Sequence, residues 1–287
     1  VITRTPVMTC SQLDVLSGLD LSFKCEIFQG SGAFKFRGAV NAVLSLPDVA
    51  AAAGVITHSS GNHAAAVAKA AKLRGIPAFI VVPTDTPQCK VDAVRSYGGQ
   101  VSLCGPTMDA REAMCAELQV KTGAAFIPPY NHPEVISGQG TIGLEFLEQV
   151  SNLDAIVVPV SGGGMISGIA IAAKALRPGI LIVAAEPRGR QGNAADVARC
   201  KAEGQLLQGL TRPQTIADGL QGRLGDLTWP VVRDLVDVVV TVSEEEIVSA
   251  MRLIMERMKL VVEPSGAVGL AAVLSPEWRG ENAPAGW

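Results

Sequence analysis

Three short stretches carry side chains able to do chemistry. In Ser31-Gly32-Ala33-Phe34-Lys35-Phe36-Arg37-Gly38-Ala39 a single lysine stands between two phenylalanines. Apolar flanks strip water from an ammonium, which lowers its pKa and frees the amine to act as nucleophile or base. A surface lysine with its stem on apolar neighbours would read the same way. Ser59-Ser60-Gly61-Asn62-His63 follows the apolar Val55-Ile56-Thr57 and precedes an alanine-rich run. That places hydroxyl, amide and imidazole groups at the carboxyl edge of a sheet, where open α/β folds bind ligands. Taken alone, an ordinary helix cap explains its Ser and Asn equally well. Ser161-Gly162-Gly163-Gly164 follows a second apolar run, 155–160, and opens another helical pattern. Consecutive glycines let the backbone approach an anion closely, and the helix behind them offers unpaired N–H groups to a phosphate. Neither GxGxxG nor GxxxxGK[ST] is present, which counts against a dinucleotide or a nucleoside triphosphate as the main ligand.

The elements that must position these stretches alternate. Residues 21–26 read as an edge or entry strand, and 38–46 as a helix following the lysine. From Gly54 the pattern becomes regular: strands at 55–57, 78–82, 101–104 and 124–127, helices at 64–74, 88–97 and 108–122. This is a βα series of the doubly wound kind. Pro128-Pro129-Tyr130-Asn131-His132-Pro133 resists helix and central strand and marks a lobe boundary. A second series follows, with helices at 135–150 and 165–176, buried strands at 154–160 and 180–185, and a later strand at 236–242. Ser243 with Glu246 has capping-box spacing, and 264–274 reads as a further helix.

Composition agrees. The 287 residues are 48% hydrophobic but only 4% aromatic, with 30 glycines, which fits aliphatic strands buried on both faces. A net charge of -3 and a pI near 5.7 give no electrostatic case for nucleic acid or an anionic membrane. Cys10, Cys25, Cys89, Cys104, Cys115 and Cys200 form no CxxC pair, so a reducing, cytoplasmic location without disulfides or zinc is expected. No apolar run reaches transmembrane length.

Together the lysine motif, the polar strand-to-helix loop and the glycine loop resemble the fold type II, tryptophan synthase β-like pyridoxal phosphate enzymes, and within them the serine racemase and serine/threonine dehydratase family. Supporting stretches are Gly138-Gln139-Gly140-Thr141, Ala185-Glu186-Pro187, Thr215-Ile216-Ala217-Asp218-Gly219 and Glu263-Pro264-Ser265-Gly266. They run in order from about residue 4 to 275. The resemblance implies two doubly wound α/β domains with the cofactor between them: a large one, 1–53 with 132–287, and a small one, 54–131. It implies pyridoxal 5'-phosphate linked to Lys35, packed against Phe34 and near Asn62, with its phosphate on Gly162, Gly163, Gly164 and Met165 and Gly219 nearby. Lys35 and Ser60 become the two proton carriers that racemisation of L- and D-serine requires. Ser59, Ser60, His63 and Arg111 are expected at the substrate, with His63 equally readable as a structural helix-start residue. Elimination of serine to pyruvate and ammonia shares the site, and L-threonine is a further candidate substrate. A homodimer is expected, as is Mg²⁺ (or Mn²⁺ or Ca²⁺) on Glu186, Ala194 and Asp196, if 188–191 is an insertion. The resemblance also brings ATP as an effector, but Gly30 and Ala65 stand where animal racemases carry a lysine and a polar residue, so nucleotide contacts are expected to be lost.

Two departures matter. Ser161 replaces the first glycine of the family's phosphate loop, where a hydroxyl can still donate to phosphate. Beyond 275 the family continues into a strand whose Ser or Thr meets the pyridine nitrogen, whereas 281–287 has no strand pattern. A dehydratase lacking racemase activity, or a truncated and inactive relative, is therefore the competing expectation.

Overall fold

The computed structural model describes residues 1–207 and 213–279; the expectation for 281–287 lies outside them. In chain order the elements are β1 (Val7–Thr9), α1 (Ser11–Ser17), β2 (Ser22–Lys24), α2 (Lys35–Ser45), α3 (Asp48–Ala51), β3 (Val55–His58), α4 (Asn62–Arg74), β4 (Ala78–Pro83), α5 (Gln88–Ser96), β5 (Gln100–Cys104) and α6 (Met108–Thr122). They continue with β6 (Ala125–Phe126), α7 (Pro133–Gln149), β7 (Ala155–Pro159), α8 (Gly164–Leu176), β8 (Leu181–Pro187), α9 (Asp196–Glu203), α10 (Thr228–Leu235), β9 (Val238–Val242), α11 (Glu244–Leu253), α12 (Pro264–Leu274) and α13 (Pro276–Arg279). No helix among the described residues is long and apolar enough to cross a membrane.

The chain forms two compact units: 1–5 with 25–139, and 6–24 with 140 onward. This division differs from the expected boundary at 53/54, because α2 packs along α4 and shares its core. In the first unit the sheet is parallel, in the order β5-β4-β3-β6. Val55, Ile80 and Val82 join one core with Phe36, Val43 and Val67, while Ile56 and Val81 pack with Cys104, Cys115 and Ala124 on the other face. Strands buried on both faces explain the aliphatic, low-aromatic composition.

α2 begins at Lys35, three residues earlier than the pattern suggested, so the lysine lies in the first turn rather than ahead of it. Its N-cap, Phe34, contributes no side-chain cap. The orphan N–H of Gly38 donates instead to Gln139 Oε1 at 3.2 Å. Gly38 and Gly138 allow this approach: a Cβ on Gly138 would stand 2.6 Å from Arg37 O and from Gly38 Cα. Behind the turn, Arg37 is fully buried and grips Glu26 with Nε to Oε2 and Nη2 to Oε1, each at 2.8 Å. Thr5 Oγ1 adds a 2.6 Å bond to the same carboxylate.

In the second unit β7-β8-β9 form a parallel sheet, and β1 pairs antiparallel with β2. Val183, Val240, Ile247, Val268 and Trp278 share its core. Ser243 and Glu246 form the expected capping box, with both reciprocal bonds present. α1, α9, α10 and α13 had no counterpart in the sequence reading.

Candidate active site

The carboxyl edge of the first unit's sheet gathers most of the expected reactive groups. Lys35 Nζ donates to the Pro129 carbonyl at 2.8 Å, just beyond β6, and lies 5.1 Å from the centre of the Phe34 ring. The boundary prolines thus supply an acceptor that the sequence reading did not assign. Ser59 N extends the ladder onto Val81 O, and Ser59 Oγ accepts from Gly61 N at 3.3 Å, shaping the turn into α4. Ser60 lies half-buried at that bend, and its hydroxyl takes no hydrogen-bond partner among the described residues. Asn62 opens α4.

His63 reads structurally. It is 3% exposed, and its Nε2 lies 2.9 Å from Ile127 O; because a carbonyl only accepts, Nε2 carries the proton. Burial, reinforced by the nearby Lys35 charge, pushes its pKa down to about 3. The ring is therefore neutral and offers no charge to a substrate carboxylate. His58 ends β3 stacked on Phe126 at 5.5 Å, and burial lowers its pKa against the pull of Glu112. The Arg111 charge also lowers the His58 pKa slightly, and Arg111 Nη2 donates to Pro106 O at 3.4 Å.

In the second unit β7 leads through residues 160–163 into α8. Gly163 takes a φ of +83° and caps α8 without any side-chain help, so the helix's first N–H groups receive no side-chain cap. A Cβ there would lie 2.7 Å from Leu224 Cδ2 and 2.8 Å from Thr228 Cβ, so only glycine fits. Thr228 Oγ1 donates to Gly162 O at 2.8 Å and fixes the loop from beneath. Ser161 departs from expectation: its hydroxyl donates to Gly222 O at 3.1 Å and accepts from Gly222 N at 2.7 Å, so it ties two loops together instead of offering its proton to an anion. Gly219 sits against Ser265, its N–H donating to Oγ at 3.0 Å.

The protein-family model described as "Pyridoxal-phosphate dependent enzyme" matches residues 1–283. The chain belongs to that family. Serine racemase of Arabidopsis thaliana is 58% identical over 278 residues, covering 97% of this chain and 82% of the relative. The structure of maize serine racemase superposes with a TM-score of 0.95 at 53% identity, covering 98% of this chain and 84% of that one. A crystal structure of T.th. threonine deaminase gives 0.91 at 42% identity, covering 97% and 89%. The fold is therefore the fold type II arrangement of parallel α/β units expected from the motifs.

The residues present fit the family's cofactor. A primary amine sits at a sheet's carboxyl edge, and an uncapped helix start behind a glycine loop suits a phosphate. Thr228, Leu224 and Pro129 escaped the sequence reading because they act by supporting these groups, and no local motif marks them.

Glu186 and Asp196 also come together. Glu186 is 1% exposed and accepts from Val197 N at 2.8 Å and Ala198 N at 2.9 Å, capping α9. Burial and the neighbouring Asp196 raise its pKa, and burial pushes Asp196 to about 6. Ala194 is buried in the loop between them, its N–H donating to Arg188 O at 3.2 Å. No group of three or more His, Cys, Asp or Glu side chains suited to a metal occurs among the described residues, so any cation here would rest on two carboxylates, backbone oxygen and water.

Proposed function

We propose that this chain interconverts L- and D-serine and, at the same site, eliminates water from serine to an enamine that takes water back and falls to pyruvate and ammonia. The observation that carries the reading is the pair Lys35 and Ser60 at one sheet edge: an amine held on a backbone carbonyl, and a hydroxyl with no competing partner among the described residues. Racemisation needs two proton carriers, whereas elimination alone needs only one.

Bound pyridoxal phosphate supplies the electron sink that makes the Cα proton of an amino acid removable. Lys35 anchors it, and Phe34, Asn62 and Gly219 line it. The N–H groups of 162–165 hold its phosphate. Lys35 moves the Cα proton of one enantiomer and Ser60 that of the other. Ser59 and Arg111 hold the substrate carboxylate or hydroxyl, while His63 remains neutral and braces β6 against α4. Serine dehydration follows when the β-hydroxyl departs as water before the proton returns. We place Mg²⁺ on Glu186, Asp196 and the Ala194 carbonyl: two buried carboxylates of raised pKa are costly to leave charged without a cation. A homodimer in the cytoplasm and ATP as an effector complete the proposal, the latter without the lysine and polar side chain that Gly30 and Ala65 replace.

The likeness to a threonine deaminase favours a second reading, a serine/threonine dehydratase without racemisation. The test is to load the purified chain with pyridoxal phosphate and Mg²⁺, supply L-serine, and quantify D-serine and pyruvate against Lys35→Ala and Ser60→Ala. D-Serine that disappears in Ser60→Ala while pyruvate persists supports the first reading. Pyruvate without D-serine supports the second, and silence of both products in the unaltered chain sinks both.

A further inference from the structure

The glycine loop of the second unit rests on the segment 222–228. Ser161 clasps Gly222 in both directions, Leu224 and Thr228 fill the space where Gly163 lacks a Cβ, and Thr228 Oγ1 receives Gly225 N at 2.9 Å while donating to Gly162 O. Thr228 is also the first residue of α10, so the height of the loop depends on where that helix begins. α10 has only eight residues, and it packs against α8, the helix that the loop opens.

The far end of α10 is held from outside. Lys201 of α9 donates from Nζ to Val236 O at 2.6 Å, Arg233 O at 3.0 Å and Val232 O at 3.4 Å. These include orphan carbonyls of the helix's last turn, and an ammonium there also meets the negative end of the helix dipole. Arg233 is engaged with Asp234, so Lys201 is the cation that closes this terminus among the described residues.

We infer that Lys201 is a positioning residue for phosphate binding: by fixing the C-terminal end of α10 it sets Thr228 under Gly162 and Gly163, and thereby aims the N–H groups of the loop. The inference rests on the proposed reading of 162–165 as the phosphate site. A short helix passes a shift at one end to the other, because its backbone hydrogen bonds make it move as one piece.

The test uses the full chain stripped of cofactor. Lys201→Met is titrated with pyridoxal phosphate and, separately, with pyridoxal, which lacks the phosphate; Lys201→Arg and Lys201→Gln accompany it. Loss of a charged cap predicts about fivefold weaker binding of pyridoxal phosphate with pyridoxal unaffected. kcat at saturating cofactor stays the same, and Lys201→Arg restores the affinity. Lys201→Gln, which keeps a donor, shows the same selective loss to a smaller degree and decides the matter if the methionine variant does not fold. Unchanged binding of pyridoxal phosphate, or equal weakening of both ligands, overturns the inference. Gly163→Ala separates the two levels. If it alone loses the preference for the phosphorylated ligand, the loop reading stands and Lys201 has no such role. If Gly163→Ala also leaves the preference intact, the loop reading falls and the inference with it.

Discussion

Lys35 donates to the Pro129 carbonyl at 2.8 Å, and its charge also bears on buried His63, which donates to Ile127 two residues earlier on the same loop. The Lys35 amine and the His63 imidazole therefore hold one segment, 127–129, from two helices. Burial is the larger cause of the low His63 pKa, with Lys35 the next.

That arrangement fixes a sign for acid stability. A histidine whose pKa falls from 6.5 to about 3 on folding takes up its proton on unfolding. Its contribution is complete above about pH 6.5 and is lost as the pH falls toward 3, a loss of about 5 kcal/mol. His63→Gln, whose side-chain amide can still donate to Ile127, is expected to flatten urea-unfolding stability between pH 6.5 and 4. Lys35→Met is expected to raise the His63 pKa, read from the imidazole proton shifts. An unchanged pH profile in His63→Gln would show that other groups govern acid unfolding.

Arg37 shares the first turn of α2 with Lys35 and is buried against Glu26. Removing only the guanidinium leaves that carboxylate without its ion pair, at a cost of about 3–5 kcal/mol. Arg37→Met should therefore lower the urea midpoint sharply, and the double variant Glu26→Gln/Arg37→Met should recover part of the loss. A double variant no better than the single one would mean that packing, not charge, accounts for the effect.

Gly138 meets backbone rather than side chain: a Cβ would stand 2.6 Å from Arg37 O and from Gly38 Cα. Backbone cannot swing aside, so Gly138→Ala should cost about 1–3 kcal/mol by forcing α7 off α2. Displacement of the first turn should also weaken retention of pyridoxal phosphate, measured by dialysis and the visible absorbance of the bound cofactor. Normal stability together with normal retention would refute this account of the close approach.

Asp196 and Glu186 predict opposite responses to two treatments. Without a cation, Asp196→Asn removes a charge that burial disfavours and that bears on Glu186, and should raise stability at pH 8 by about 1–2 kcal/mol. With Mg²⁺ the unaltered chain should gain melting temperature and the variant should not, since a ligand binding only the folded state stabilises it by mass action. A melting temperature indifferent to Mg²⁺ in the unaltered chain would remove the cation from this site.

The sequence by itself was enough for the alternation of strands and helices, because each parallel strand is a short aliphatic run buried on both faces and each turn is punctuated by Gly or Pro. It was also enough for the placement of the 59–63 loop and the 162–164 loop at strand-to-helix junctions, and for the Ser243–Glu246 capping box, since those bonds join residues three apart. Tertiary structure alone decided that Lys35 lies inside α2, whose start is satisfied by Gln139, 101 residues away. It committed the Ser161 hydroxyl to Gly222, 61 residues on, and brought Thr228 beneath Gly162 across a separation of 66. It also closed α10 with Lys201 and held His63 neutral. These partners are donors and acceptors distant in the chain, matched by the packing of whole elements. A periodic pattern reports which face of an element is apolar, but not which distant polar atom its ends will meet.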